Sequence, residues 1–348
     1  MALYHKYRPT IFGEVIGQEH VTRTLKNSVV SGSLVHAYLF VGTRGIGKTT
    51  VARILARAFN CQNLQQGEPC NKCEACTAIL TNRTADIVEV DAASNRGIDD
   101  ITVMLERAKF SPMSLDKKVY ILDEVHQLTP AAKDALLKTL EEPPNHAVFI
   151  LATTEDHKVP DTIRSRCQKF DFKKADTDVI TTYLKRVASA EDIPYETDAL
   201  KLLGSRAAGS FRDGVTLLEN VAAWDSSITI EHVREVLGIP LPSLLKKTVR
   251  YVCSGNQKAL LAETSERNLA CDATVFMEEL SKMFLYIIKA AILNNKQKVL
   301  GIPVDTLTDT LQRMLSKWET FSCVQSPIAL EVVLLDAAGY IQNLTHVD

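Results

Sequence analysis

The sequence predicts an α/β fold, a parallel sheet flanked by helices, followed by two helical segments. Three observations carry this. Between residues 36 and 172, five short apolar runs alternate with helix-like stretches. The first run leads into a glycine-rich loop ending Gly47-Lys48-Thr49, and from about residue 175 the strand signal gives way to helical apolar spacing. With 348 residues, 46% of them hydrophobic, the chain can fill two or three domain cores at roughly 100 to 200 residues each.

The predicted strands are AYLFVG (37–42), DIVEVDA (86–92), KVYILDE (118–124), AVFILATT (147–154) and QKFDF (168–172). Nearly continuous apolar strands separated by helices belong to parallel sheets covered on both faces. Such sheets bind ligands at their strand C-termini. Thr129 and Pro130 give an N-cap and a first-turn proline, and the helix through LLKTLEE stops at Pro143 and Pro144. Helical spacing over 177–192, 196–209, 212–224 and 230–238 predicts a small helical domain ending near Gly238 to Pro242. Longer amphipathic stretches at 273–293, 304–321 and 328–344 predict a third, all-helical domain, with Met283, Phe284 and Tyr286 in its core or at a subunit contact. The expected divisions are 1–174, 175–240 and 241–348.

Forty Lys and Arg against 42 Asp and Glu leave a net charge of −2, which lacks the basic excess of an independent nucleic-acid binder. Residues 1–60 hold eight basic and two acidic side chains, a bias that suits a polyanionic ligand. The opening MALYHKYRPTIFGEV has no apolar run behind its basic residues, and no stretch reaches the ~18 apolar residues of a membrane span. A cytoplasmic location and no membrane partner are expected. Of eight cysteines, four crowd into residues 61–76 while Cys167, Cys253, Cys271 and Cys323 stand apart, a distribution that suits a reducing compartment and one metal site.

Gly42-Thr43-Arg44-Gly45-Ile46-Gly47-Lys48-Thr49, followed by Thr50, matches G-x-x-x-x-G-K-[ST] between a predicted strand and a predicted helix. Its glycines let backbone N–H groups wrap phosphates, and the helix N-terminus adds a favourable dipole. Lys48 would reach the β- and γ-phosphates and Thr49 would ligate magnesium. The third strand ends in Asp123-Glu124, which places a metal-holding carboxylate and a water-polarising one at the strand tip. Cys61-x8-Cys70-x2-Cys73-x2-Cys76 supplies four thiolates for a closed, structural tetrahedral zinc site, with an iron–sulfur cluster as the weaker reading. Arg166, just before the last strand, and Arg212, at the start of a later helix, could complete a hydrolysis site, but spacing alone does not raise them above surface residues.

Taken together, YRP at 7–9, VIGQEHV at 15–21, HAYLFVGTRGIGKTT, the four cysteines, DEVHQLT, LLKTLEEPP, LATTE, SRC and GSFRD resemble the gamma/tau family of bacterial DNA polymerase III clamp-loader ATPases, which are AAA+ proteins. The specific likeness extends to about residue 240; beyond it, only helical character and position match. The resemblance implies an AAA+ P-loop domain with a zinc insertion, a helical lid and a C-terminal collar. It implies ATP, Mg2+ and Zn2+ as cofactors, and other clamp-loader subunits, a sliding clamp and primer-template DNA as partners. It makes Arg166 an arginine finger acting on ATP of the neighbouring subunit, Arg212 a sensor contacting the γ-phosphate within the same chain, and Thr154 a polar sensor. Tyr7, Arg8 and Pro9 would border the adenine, with Val15 and Ile16 beside it, and Ser94, Asn95 and Arg96 would face DNA phosphates. The longer family product carries tail domains that bind the replicative helicase and the polymerase, and these are not expected within residues 1–348.

Two other readings compete. Asp123-Glu124-Val125-His126 also matches a DExH helicase box, but such an enzyme needs a second RecA-like sheet, and residues 175–348 read as helices. A non-catalytic clamp-loader scaffold would keep the zinc and the collar yet lose nucleotide chemistry, against which stand the intact Lys48, Thr49, Asp123 and Glu124.

Overall fold

A computed structural model describes residues 2–264, 271–321 and 326–345; Cys323 and Asp348 lie outside the described residues. The chain forms two compact units, Met1–Ile228 and Thr229–Asp348.

The first unit opens with the single turn α1 (Leu3–Lys6) and a 3-10 turn, Phe12–Glu14, before α2 (Glu19–Ser31). Then follow β1 (Ala37–Val41), α3 (Lys48–Asn60), α4 (Glu74–Leu80), β2 (Ile87–Asp91), α5 (Ile98–Ala108), β3 (Lys118–Asp123) and α6 (Pro130–Glu141). The sheet is completed by β4 (Ala147–Thr153), α7 (Asp161–Arg164) and β5 (Gln168–Asp171), after which α8 (Thr177–Ala190), α9 (Thr197–Arg206) and α10 (Phe211–Trp224) form a helical subdomain.

The five strands are all parallel, in the order β2-β3-β4-β1-β5. Each sheet face has its own core, because side chains alternate along a strand. Tyr38, Phe40, Val119, Ile121, Val148 and Ile150 pack with Val21 and Leu25 of α2 and Ile54 and Leu55 of α3. Leu39, Tyr120, Leu122, Phe149 and Leu151 pack with Ile101 and Leu105 of α5 and Leu136 and Leu140 of α6. Burial on both sides explains why β1, β3 and β4 read as nearly unbroken apolar runs, whereas the edge strands β2 and β5 expose polar residues such as Glu89, Gln168 and Lys169. Thr129 caps α6 by accepting the Ala132 N–H, Pro130 is its first residue, and the helix ends before Pro143, as the sequence indicated. Because β4 lies between β1 and β3, the turns after all three open at one edge of the sheet.

The second unit is helical apart from one small hairpin: α11 (Ile230–Val236), α12 (Pro242–Cys253), α13 (Gln257–Thr264), α14 (Ala273–Leu293), β6 (Lys298–Val299), β7 (Ile302–Pro303), α15 (Val304–Phe321) and α16 (Pro327–Thr345). Its core joins Phe276, Leu280 and Phe284 to Leu330, Val333 and Leu334, with Met283 packed against it and Tyr286 exposed. The hairpin, absent from the sequence reading, turns on Leu300 and Gly301, both at positive φ, the backbone of a two-residue turn. Among the described residues no helix is long and apolar enough to cross a membrane.

Candidate active site and metal centre

The glycine-rich loop leaves β1 at Gly42 and enters α3 at Lys48, lining a cleft of about 350 Å³. The helical subdomain closes directly on it. Gly45 O accepts the backbone N–H of Phe211 (3.0 Å) and Arg212 (3.4 Å), so α10 begins on the loop. Gly45 has φ +77°, and a Cβ there would run into the Ser210 hydroxyl, so both its backbone and its neighbour require glycine.

Lys48 is 5% exposed, and its Nζ donates to Gly42 O (2.6 Å) and Thr43 O (2.9 Å). Burial pulls its pKa down, while the nearby Glu124 and Asp123 carboxylates favour the charged form. Thr49 Oγ1 donates to Asp123 Oδ2 at 2.8 Å, joining the loop to the tip of β3. Arg44, Gly45, Ile46, Gly47, Lys48, Thr49, Thr50, Asp123 and Glu124 all line the cleft, as do Arg8, Pro9, Val15, Ile16 and Arg212.

Glu124 takes a left-handed backbone (φ +52°). Its Oε2 accepts Thr154 Oγ1 (2.9 Å) and the Thr154 N–H (3.3 Å) and lies 3.3 Å from His126 Nδ1. Thr154 therefore reaches the cleft through Glu124. Arg166 stands elsewhere, with Nη2 donating to Glu141 Oε1 (2.6 Å) and Nη1 to Thr162 O (2.7 Å). Ser94, Asn95 and Arg96 are exposed between β2 and α5.

Tyr7 is not among the residues that line the cleft. Its hydroxyl donates to Glu191 and its carbonyl accepts the Tyr183 hydroxyl (2.9 Å), while Tyr4 lines the cleft with the Arg212 guanidinium 5.6 Å from its ring centre. Tyr4, Glu14, Asp91, Gln127, Tyr183 and Phe211 also line the cleft but were not singled out by sequence. The available signals were local: Tyr4 lies three residues before Tyr7, and Phe211 directly precedes Arg212.

The sulfurs of Cys61, Cys70, Cys73 and Cys76 lie within 4.8 Å of one another. A tetrahedral zinc with Zn–S of about 2.3 Å separates its sulfurs by roughly 3.8 Å, so the cluster fits that ion with a small contraction. Cys70 Sγ accepts the backbone N–H of Lys72 (3.5 Å) and Cys73 (3.3 Å), and Cys61 Sγ accepts that of Cys70 (3.2 Å). The N–H groups of Lys72 and Cys73 bring the Cys70 thiol down to about 6, whereas burial pushes Cys76 up. Asn71, at φ +55°, provides the bend between Cys70 and Cys73.

Residues 17–176 match the family profile described as DNA polymerase III, delta subunit, and residues 179–223 match DNA polymerase III clamp loader subunit, ATPase lid domain. The chain is 47% identical over 227 residues to DNA polymerase III subunit tau of Bacillus subtilis, covering 65% of this chain and 40% of that protein. It is 41% identical over 312 residues to DNA polymerase III subunit gamma/tau of Mycoplasma genitalium (88% and 52%) and 36% identical over 315 residues to subunit tau of Escherichia coli (89% and 49%). The chain thus spans about half or less of the length of these relatives. Among solved structures, the Thermotoga maritima RuvB Holliday junction branch migration motor shares the fold with a TM-score of 0.51 at 23% identity, covering 74% of this chain and 85% of that one.

Proposed function

The chain belongs to the DNA polymerase III gamma/tau family, and on that premise we propose that it binds and hydrolyses ATP as a clamp-loader subunit, opening a sliding clamp and placing it on primed DNA. The single observation that carries this reading is the convergence of Lys48, the Thr49–Asp123 pair, Glu124 and Arg212 on one cleft between the sheet edge and the helical subdomain.

Lys48 holds the β- and γ-phosphates within backbone N–H groups of residues 44–49. Magnesium, held by Thr49 and Asp123, would neutralise charge on the phosphate oxygens. Glu124 is the base that orients the attacking water, and Thr154 is the polar sensor that holds its carboxylate. Arg212 contacts the γ-phosphate from α10, so the helical subdomain senses what the loop holds. Arg8, Pro9, Val15 and Ile16 border the adenine, with Tyr7 supporting that segment from behind through its carbonyl. Arg166, half-buried beside Glu141, acts on the nucleotide of a neighbouring subunit, which makes turnover depend on assembly.

The lid is α8 to α10, and the helices after residue 240 form a collar that binds other clamp-loader subunits. Ser94, Asn95 and Arg96 meet the phosphates of primer-template DNA. Zinc, held by Cys61, Cys70, Cys73 and Cys76, would be structural, since four protein ligands leave no open coordination position. No described residues beyond the first unit build a second parallel sheet, so nothing favours the helicase reading. Lys48→Ala tests the assignment: it should abolish ATP binding and turnover, and unchanged turnover would refute it.

A further inference from the structure

The segment that borders the cleft on its N-terminal side, residues 8–16, has little structure of its own: a single 3-10 turn, Phe12–Glu14, with Glu14 bonded back to the Thr10 N–H at 2.7 Å. Yet Arg8, Pro9, Val15 and Ile16 all line the cleft. Beyond the Arg8 N–H, which donates to His5 O of α1 (3.4 Å), its polar grips from elsewhere in the fold come from the cysteine-bearing insertion and from α3. Thr10 O accepts Asn71 Nδ2 (3.2 Å), from the bend between Cys70 and Cys73, and Arg57 Nη2 (2.7 Å). Glu68, two residues before Cys70, accepts the N–H of Phe12 (2.7 Å) and of Gly13 (3.0 Å).

The insertion is built to present those groups. Gln65 and Glu68 exchange backbone hydrogen bonds (3.0 and 2.9 Å) across Gln66 and Gly67, both at positive φ, a stiff two-residue turn. Lys26 of α2 holds the Glu68 carboxylate at 2.9 Å, and Glu68 keeps only 17% of its side chain exposed. Arg57 is 4% exposed and lies near Cys76.

We infer that the four-cysteine module is a buttress for the nucleotide cleft: Glu68 and Asn71, held in place by the metal-bound cysteines, position residues 8–16, so that metal occupancy and nucleotide affinity are coupled. This rests on the reading of the cleft as an ATP site and of the cysteines as a zinc site. Glu68 and Asn71 are positioning residues; neither touches the cleft. Coupling between sites typically amounts to about 5- to 150-fold in affinity and is reciprocal, so nucleotide should also tighten the metal.

The test titrates Mg·ADP by calorimetry into the full chain, with zinc measured on the same samples. Glu68→Ala and Asn71→Ala should each weaken ADP binding about fivefold or more while retaining zinc, and Glu68→Gln, which keeps one acceptor, should recover part of the loss. In the assembled complex these variants should raise KM for ATP and leave kcat near that of the unaltered protein, a split that general loosening of the fold would not produce. Removing zinc should weaken ADP binding in the unaltered chain and change it far less in the Glu68→Ala/Asn71→Ala double variant. Should a variant fail to fold, the unaltered chain still decides, because ADP should slow transfer of zinc to a chelator about fivefold or more. Zinc-loaded variants that bind ADP as the unaltered protein does, or a zinc release rate indifferent to ADP, would overturn the coupling. Failure of the unaltered, zinc-loaded chain to bind ADP would overturn the nucleotide reading beneath it instead.

Discussion

At the scale of single residues, the site separates binding from chemistry. Lys48 and Thr49 are the residues proposed to hold phosphate and metal through the loop, whereas the Glu124 carboxylate is engaged by Thr154 rather than by Thr49. Glu124→Gln should therefore leave ATP binding near normal and lower turnover by roughly 10²- to 10⁴-fold, read by single-turnover hydrolysis. An equal loss of binding would place Glu124 among the phosphate ligands. Arg166→Ala should spare ATP binding to the isolated subunit and eliminate turnover in the complex, since its partners here are Glu141 and Thr162 O, outside the cleft. The loop, the acidic pair and the cysteine spacing were legible because each is a short local pattern tied to one chemistry. Tyr4 and Glu68 were not, because their roles arise from contacts across the fold: Tyr4 meets Arg212 from 208 residues away, and Glu68 reaches back to Phe12.

At the scale of elements, strand positions were readable to within a residue or two: β1, β3 and β4 are buried on both faces and almost wholly apolar, while the edge strands β2 and β5 showed through Ile87, Val88, Val90 and Phe170 despite their exposed polar residues. The β6–β7 hairpin was not readable, its two-residue strands being too short for any periodicity to register. Between α5 and β3, the fully buried Asp86 organises the connection. Burial pushes its pKa up, but the N–H groups of Met113, Ser114 and Leu115 outweigh burial, and the net shift is down. The stability it adds is fully present above its ordinary value of about 3.9 and is lost as pH falls through its lowered folded value. Asp86→Ala should cost on the order of 3 kcal/mol in denaturant unfolding at neutral pH, because it leaves three backbone N–H groups and the Ser114 hydroxyl without their acceptor. A cost indistinguishable from zero would mean that the loop finds other acceptors. For the cysteine module, elemental analysis of protein prepared under reducing conditions should find one zinc per chain, and Cys73→Ser should lower both occupancy and thermal stability.

At the scale of the whole molecule, the first unit gathers in one cleft the groups proposed to bind ATP, while the arginine proposed to finish hydrolysis lies outside that cleft. On the proposed reading, such a division would make the isolated subunit a poor ATPase and the assembly a regulated one. ATP energy would then be spent on shifting populations among assembly states rather than on polymerisation. The most direct test is steady-state ATP hydrolysis by this protein mixed with the proposed partner clamp-loader subunits, with and without sliding clamp and primed DNA. Strong stimulation only when clamp and primer-template are both present is the predicted result; turnover indifferent to both would contradict the clamp-loading function and leave only an ATPase.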